Sequence, residues 1–160
     1  LMVIHDDTVQ RTTNGKGLVS DHTFEQLTKL DAGDGNPIPR LAEVTALVAQ
    51  HLAAAQPLVN IELKGRGTAA PTARFLQAHP ELAVLVSSFN HRELGAFRAL
   101  DETTPIAPLF ERARASMLDT ASALGASCVN VSQRMVKAAL IPEQLLFQLK
   151  LSMTLLLIFL

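Results

Sequence analysis

The chain of 160 residues is long enough for one domain, and two would be crowded. Hydrophobic residues make up 48% of it, which is enough for a sizeable core. Its 14 Lys and Arg nearly balance 15 Asp and Glu, and the formal net charge of -1 gives no reason to expect nucleic acid or an anionic membrane as a partner. The single cysteine, Cys128, excludes an internal disulfide framework, and the apolar run "ASCVNV" around it predicts a small buried side chain. One cysteine is also consistent with the cytoplasm as the default location.

Apolar strands alternate with amphipathic helices along the chain. In chain order, strands are predicted at residues 2–4, 57–64, 82–89, 106–110 and 128–132. Helices are predicted at residues 23–30, 40–55, 68–80, 91–101 and 113–125. Thr23 or Asp21 would cap the first helix, and Gly125 would close the last. This alternation predicts a parallel sheet covered by helices, either a doubly wound open sheet or part of a (β/α)8 barrel, since a complete barrel typically needs ~250 residues.

Polar side chains follow several of these strands at the carboxyl end, where parallel folds place their catalytic groups. The first strand ends in "HDD" with His5, the second in Glu62 and Lys64, and the later ones near Ser87 and Asn130. A carboxylate such as Glu62 can bind a hard divalent cation, and Lys64 can bind phosphate as a compact charge. His5 can pass a proton to a leaving alkoxide near neutral pH. This set suits attack on an anionic ester.

Structural interpretations of the same residues remain open at this point. A His-Asp pair after a strand can be a loop entry or a helix cap, and "ELK" can be an exposed edge strand with a surface ion pair. "SS" at residues 87–88 can be a simple strand-to-helix turn, and Asn90 a helix N-cap. The sequence has neither a G-x-S-x-G elbow nor a Walker or Rossmann glycine loop, so it gives no support to a serine hydrolase or a nucleotide-binding domain of those types.

Four blocks in a fixed order carry more information than any single residue. "VIHDDTVQRTTNGKG" is followed by "PIPRLAEV", then by "NIELKG" and then by "LVSSFN". The series resembles the glycerophosphodiester phosphodiesterase family, in which a strand ends in His-Asp before a run like R-T-T-N-G-x-G, and a later strand bears E-x-K. The resemblance covers roughly residues 2–135.

The resemblance implies a TIM barrel of the phosphodiesterase type, with a small insertion at about residues 6–36 after the first visible strand. It implies that His5 is the second of two catalytic histidines, that Glu62 binds a divalent cation, Ca²⁺ or Mg²⁺, and that Lys64 binds the substrate phosphate. Three further residues, Asp6, Ser87 and Asn130, would line the rim of the barrel. The implied reaction is hydrolysis of a small-molecule glycerophosphodiester to glycerol 3-phosphate and an alcohol.

Several family motifs are not found in this sequence, namely H-R-G, P-E-N-T, E-x-D and W-T-V-N. We therefore expect residues 1–150 to form a partial barrel with impaired activity, and open sheet edges through which copies of the chain self-associate. Residues 151–160 form an apolar tail, either a truncated strand or frame-shifted sequence, and too short for a transmembrane span. The alternatives are a non-catalytic remnant or interaction domain of the same fold, and a doubly wound binding domain in which "HDD" is a loop.

Overall fold

The computed structural model describes residues 1–52, 58–112, 114–131 and 155–159. Its helices are a 3₁₀ helix at Val19–Asp21, α1 (Phe24–Leu27), α2 (Leu41–Leu52), α3 (Ala69–Gln77), α4 (His91–Arg98) and α5 (Met117–Ala123). Its strands are β1 (Leu58–Glu62), β2 (Val84–Ser88), β3 (Ile106–Phe110), β4 (Asn130–Val131) and β5 (Leu155–Phe159). All five predicted helices and the last four predicted strands are confirmed, most of them shorter than expected. Within the described residues, no helix is both long and apolar enough to cross a membrane.

The strands form one parallel sheet in the order β4-β3-β2-β1-β5. From β1 to β4 each strand pairs with the next in sequence, and α3, α4 and α5 each connect two of them. The run from β1 to β4 has no reversal, and a later strand beside β1 fits either the closure of a barrel or the switch point of a doubly wound sheet, so strand order alone does not separate the two. Strand β5, from the apolar tail, lies on the other side of β1.

Side chains along β1 point alternately to the two faces of the sheet, one packed against helices in the main core and the other, called the inner face here, pointing away from them. Val59, Ile61 and Leu63 are buried in the main hydrophobic cluster, which also contains Leu41 of α2 and Phe97 of α4. Because successive side chains of a strand point to opposite faces, the even-numbered residues of β1 lie on the face away from these helices. That inner face carries the candidate site.

The prediction of a first strand at residues 2–4 is wrong. Met2 forms an isolated antiparallel bridge with Arg40, and the N–H of Val3 donates to the carbonyl of Pro39 at 2.8 Å. The backbone of this segment is therefore paired with the loop that precedes α2. The place beside β1 belongs instead to β5.

Two separate apolar clusters explain why this segment has the composition of a buried strand. Leu1 and Val3 pack against the main core, whereas Met2 and Ile4 pack against a second, smaller cluster. The buried residues of that second cluster are Val9, Leu27 and Ile38. Both faces of residues 1–4 are thus covered by apolar side chains although the segment is not part of the sheet.

The predicted insertion, residues 6–36, folds around this second cluster. Its helix α1 begins at a capping box, in which the Thr23 side chain accepts from the N–H of Gln26 and the Gln26 side chain accepts from the N–H of Thr23. Of the two predicted caps, Thr23 is therefore the one used for this helix. Gly125 has a φ of 59° just after α5, as expected for a helix-closing glycine.

The prediction that Cys128 is buried is wrong, because its side chain is exposed. The residue comes just before β4, which has only two residues and lies at one end of the sheet. The apolar run predicted a buried strand over residues 128–132, but the observed strand has only two residues and leaves Cys128 outside it.

Candidate active site

The carboxyl end of β1 brings a carboxylate and an amine together. Glu62 is the last residue of β1 and is 5% exposed, and Lys64 follows two residues later on the same side of the chain. The Lys64 Nζ lies 3.4 Å from the Glu62 Oε1. The surface ion pair considered from the sequence is thus wrong in one respect, since the carboxylate of this pair is buried.

Two further polar side chains lie with Glu62 on the inner face of the sheet. Asn60 precedes Glu62 by two residues on β1, and Ser87 of β2 is paired with Glu62 in the parallel register. The Asn60 Oδ1 and the Ser87 Oγ are buried and accept or donate no hydrogen bond within the described part of the chain. Buried polar atoms normally have partners, so these two can serve a ligand on this face.

The two serines at the end of β2 differ in what they contact. The Ser88 Oγ donates to the carbonyl of Leu63 at 2.6 Å and accepts from the N–H of Asn90 at 2.9 Å. Asn90 in turn caps α4 by accepting from the N–H of Glu93. The strand-to-helix turn and the N-cap considered from the sequence are therefore confirmed for Ser88 and Asn90, while Ser87 faces the inner side of the sheet.

His5 is the first member of a second polar cluster, formed by His5, Asp6 and Arg11. The His5 Nδ1 lies 2.6 Å from the Asp6 Oδ1. The Arg11 guanidinium donates twice to the same carboxylate, from Nε to Oδ2 and from a terminal nitrogen to Oδ1 at 2.9 Å. Hydrogen bonds from Arg11 and then from His5 hold the pKa of the Asp6 carboxyl well below its usual range.

A closed loop places Arg11 beside Asp6. Thr8 and Leu18 form an antiparallel bridge at the base of this loop, and the Thr13 hydroxyl donates to the carbonyl of Val9 at 2.7 Å. The N–H of Gly15 then donates to the Thr13 hydroxyl at 3.0 Å. These bonds use the hydroxyl and glycine residues of "TTNGKG", so the run has a structural role in shaping the loop.

The structure joins the predicted site residues in two pairs, Glu62 with Lys64 and His5 with Asp6. Ser87 lies beside Glu62, and Asn130 is the first residue of β4, paired in register with Leu109. His5 also lines a small pocket of about 190 Å³ between residues 3–5 and the insertion. The meeting of the two pairs at one rim stays a prediction.

The sequence analysis missed Asn60, two residues before Glu62 on β1, and also missed Arg11. Arg11 lies five positions after Asp6, across a turn, and so fits neither the helical nor the strand spacing that identified the other residues. The signal was nevertheless present, because Arg11 is the arginine of the quoted "RTTN" run.

Within the described residues, no group of three or more His, Cys, Asp or Glu side chains is placed to hold a metal ion. The buried Glu62 carboxylate is an oxygen donor of the type that Ca²⁺ and Mg²⁺ prefer. Either ion takes at least six oxygens, so Glu62 fits as one ligand and not as a complete site.

Comparison with known proteins gives a consistent family. A model described as the glycerophosphoryl diester phosphodiesterase family matches residues 1–152. A glycerophosphodiester phosphodiesterase of Caldanaerobacter subterraneus is 42% identical over 107 residues, which are 59% of this chain and 42% of the relative. One from Bacillus subtilis is 31% identical over 148 residues, which are 76% of this chain and 49% of the relative. The chain thus spans less than half the length of these curated relatives.

Solved structures confirm the fold. An Oleispira antarctica phosphodiesterase, in complex with the product sn-glycerol-3-phosphate, has a TM-score of 0.78 and 25% identity. The match covers 91% of this chain and 62% of that one. A structure from Galdieria sulphuraria, at 22% identity, has a TM-score of 0.69 over 86% of this chain and 59% of that one. The neighbours are TIM barrels, so the prediction of an incomplete barrel is confirmed and the doubly wound alternative is wrong.

Proposed function

Because the chain belongs to the glycerophosphoryl diester phosphodiesterase family, we propose that it carries part of the active site of a metal-dependent phosphodiesterase. The reaction is hydrolysis of a glycerophosphodiester to glycerol 3-phosphate and an alcohol. The observation that carries the proposal is the pair of Glu62 and Lys64, a buried carboxylate and an amine 3.4 Å apart at the carboxyl end of a parallel strand. In a barrel, that end of the strands is where catalytic residues lie.

Glu62 and Lys64 have complementary roles in binding the substrate. The Lys64 ammonium binds the phosphate oxygens, and its contact with Glu62 fixes the position of the charge at the strand end. Glu62 is one ligand of a Ca²⁺ or Mg²⁺ ion. Such an ion, when bound, stabilises the negative charge that develops on the phosphate oxygens.

His5 moves the proton in this proposal. The ring protonates the alcohol oxygen while the bond from that oxygen to phosphorus breaks, and water supplies the oxygen that replaces it on phosphorus. The insertion, residues 6–36, holds His5 at its first edge and would cover the site. Asp6, Ser87 and Asn130 line the rim beside these groups.

The partner in this proposal is a small-molecule substrate, as in the Oleispira antarctica structure, which contains the product sn-glycerol-3-phosphate. Self-association through the edges of the sheet is a second, separate proposal. It is supported by the pairing of β4 and β5, each of which has one neighbouring strand among the described residues.

The test compares the 160-residue protein with a fusion in which it follows the amino-terminal segment of the Caldanaerobacter subterraneus relative that precedes the matched region. We expect no glycerol 3-phosphate release from glycerophosphocholine by the chain alone, because one carboxylate and one histidine do not complete the site. The fusion should release glycerol 3-phosphate in the presence of Ca²⁺ or Mg²⁺, and chelation should stop it. His5→Ala should lower its rate by about 10²–10⁴-fold.

Glu62→Gln and Lys64→Met in the fusion should also lower turnover strongly, while Glu43→Gln, on the exposed side of α2, should not. A fusion that melts cooperatively and hydrolyses nothing would favour the non-catalytic remnant. Hydrolysis by the 160-residue chain itself that Glu62→Gln abolishes would show that this chain holds a complete site.

A further inference from the structure

The contact between His5 and Asp6 determines which ring nitrogen of His5 carries the proton. An ionised carboxylate only accepts hydrogen bonds, so the His5 Nδ1 that lies 2.6 Å from Asp6 must be the donor in this pair. When the ring is neutral, its acceptor nitrogen is then Nε2. The tautomer of His5 therefore depends on Asp6 staying ionised and in place.

Arg11 secures both conditions. Its guanidinium binds the Asp6 carboxylate with two hydrogen bonds, a geometry that fixes the plane of the carboxylate as well as its charge. The pKa of Asp6 is held well below its usual range chiefly by this contact, so the carboxylate remains an acceptor at any pH at which the family reaction would run. Arg11 itself is held by the closed loop from Thr8 to Leu18.

We propose that Arg11 and Asp6 are positioning residues for His5: Arg11 orients Asp6, and Asp6 holds the His5 ring in the tautomer with the proton on Nδ1. This inference rests on the proposed function, since it gives His5 its orientation for proton transfer through Nε2. Neither Arg11 nor Asp6 needs to touch the substrate.

Stability alone gives a poor account of this cluster. The side chains of Arg11 and His5 are 59% and 51% exposed, and ion pairs so open to water contribute little to folding. The chain offers a matched comparison in Arg40, whose guanidinium pairs with Glu43 at 2.8 Å with 52% exposure. Both arginines are exposed and bound to a carboxylate, but within the part of the chain that the structure describes only the carboxylate bound by Arg11 also contacts a histidine.

The experiment measures the tautomer directly, in the 160-residue protein and without any assay of activity. Protein with ¹⁵N-labelled histidine is examined by ¹H–¹⁵N correlation at roughly pH 8.5, well above the usual histidine pKa of about 6.5. The His5 signals are assigned by their loss in His5→Gln. We expect the protonated type of nitrogen signal at Nδ1 in the unchanged protein.

Arg11→Gln and Asp6→Ala should shift the His5 population toward the tautomer with the proton on Nε2. Arg11→Lys should preserve the Nδ1-protonated tautomer only in part, since lysine keeps the positive charge but lacks the two parallel N–H donors of the guanidinium. Arg40→Gln should leave the His5 signals unchanged. A His5 ring with its proton mainly on Nε2, or one that Arg11→Gln does not alter, would overturn the proposal.

The fusion described above separates this proposal from the proposed function. There, Arg11→Gln should lower kcat by about 10–100-fold with little change in KM, as outer partners of catalytic groups commonly do. An inactive fusion with the expected tautomer would refute the function and leave the positioning role intact. An active fusion whose kcat is unchanged in Arg11→Gln would refute the positioning role alone.

Discussion

At the scale of single residues, Ser87 and Ser88 show how neighbouring identical side chains take different roles. The Ser88 hydroxyl donates to the carbonyl of Leu63, just after β1, and accepts from the N–H of Asn90 in the turn before α4. The Ser87 hydroxyl is fully buried, faces the inner side beside Glu62 and has no partner within the described residues. A buried hydroxyl without a partner costs free energy, and a substrate or its bound water is what would satisfy it.

Ser87→Ala should therefore separate function from stability. We expect its free energy of unfolding to be unchanged or to rise by up to about 1–3 kcal/mol, because the variant no longer buries an unpaired hydroxyl. In the active fusion, kcat/KM should fall by about 10–100-fold, the value of one hydrogen bond to a charged group. Thermal unfolding and glycerol 3-phosphate release measure the two effects.

Thr72 provides the control for Ser87, since its Oγ1 is also buried and has no partner among the described residues, but it belongs to α3, on the outer side of the sheet. Thr72→Val should resemble Ser87→Ala in stability and leave turnover unchanged. If Ser87→Ala destabilises the protein strongly, its hydroxyl has a structural partner and the assignment to the site is wrong.

Sequence reasoning at this scale succeeded where strand ends determine position. Glu62, Lys64 and Ser87 lie at the carboxyl ends of β1 and β2 because alternation and chain order are visible in the sequence. Arg11 was missed because its contact with Asp6 depends on the path of a loop. Periodicity does not describe such a path, and the same limit applies to whether His5 meets Glu62.

At the scale of elements, the loop from Thr8 to Leu18 depends on glycine in two ways. Gly17 has a φ of 101°, which L-residues rarely adopt, and its carbonyl accepts from the N–H of Val9 at 3.1 Å. A Cβ on Gly15 would lie 3.1 Å from the Val9 side chain and 2.8 Å from that of Leu30. The "NGKG" run is therefore needed for the shape of the loop that holds Arg11.

Gly17→Ala and Gly95→Ala should have opposite effects. Gly17→Ala should lower the free energy of unfolding by about 1–3 kcal/mol, because alanine is strained at that φ. Gly95 lies within α4, and among the described residues an added Cβ would meet only Leu124, at 3.4 Å. Gly95→Ala should therefore raise stability by about 0.5–1 kcal/mol. Chemical unfolding of both variants measures this, and equal effects would contradict the role given to Gly17.

The elements differ in how well the sequence predicts them. Helices α2 to α5 were identified because their apolar residues recur at helical spacing, and Asn90 at the start of α4 and Gly125 after α5 also mark helix ends. Residues 2–4 were mistaken for a strand of the sheet because an apolar run indicates that both faces of a segment are buried, but it does not indicate which backbone the segment pairs with. Here Val3 and Ile4 face two different cores, so the pattern of a central strand arises without a sheet.

At the scale of the whole molecule, the sheet is the feature that connects fold and function. Its order from β1 to β4 follows the sequence and was predicted by the alternation of strands and helices. The position of β5 was not predicted, because pairing between residues 58–62 and 155–159 joins segments far apart in the chain. Long-range pairing of this kind leaves no local pattern in the sequence.

Within the described residues, each end of the sheet is a strand with one neighbour. Among the described residues, β4 pairs only with β3 and β5 only with β1. Val131, on the two-residue β4, is 37% exposed. Parallel strands with unpaired N–H and C=O groups are templates for pairing with another chain, and a lysine at such an edge opposes it.

We expect the protein to associate as its concentration rises, and Val131→Lys to weaken that association. Analytical ultracentrifugation over roughly 1–100 µM measures it, since edge pairing that is governed by mass action raises the average mass with concentration. Leu118→Lys is the control, because Leu118 is an exposed leucine, 54% accessible, that lies on helix α5 and not on a strand. Its mass should match that of the unchanged protein at each concentration. A strictly monomeric protein would refute edge pairing. An equal effect of both lysines would also contradict it and would assign the association to exposed apolar surface in general, because the added charge would then act at any exposed position.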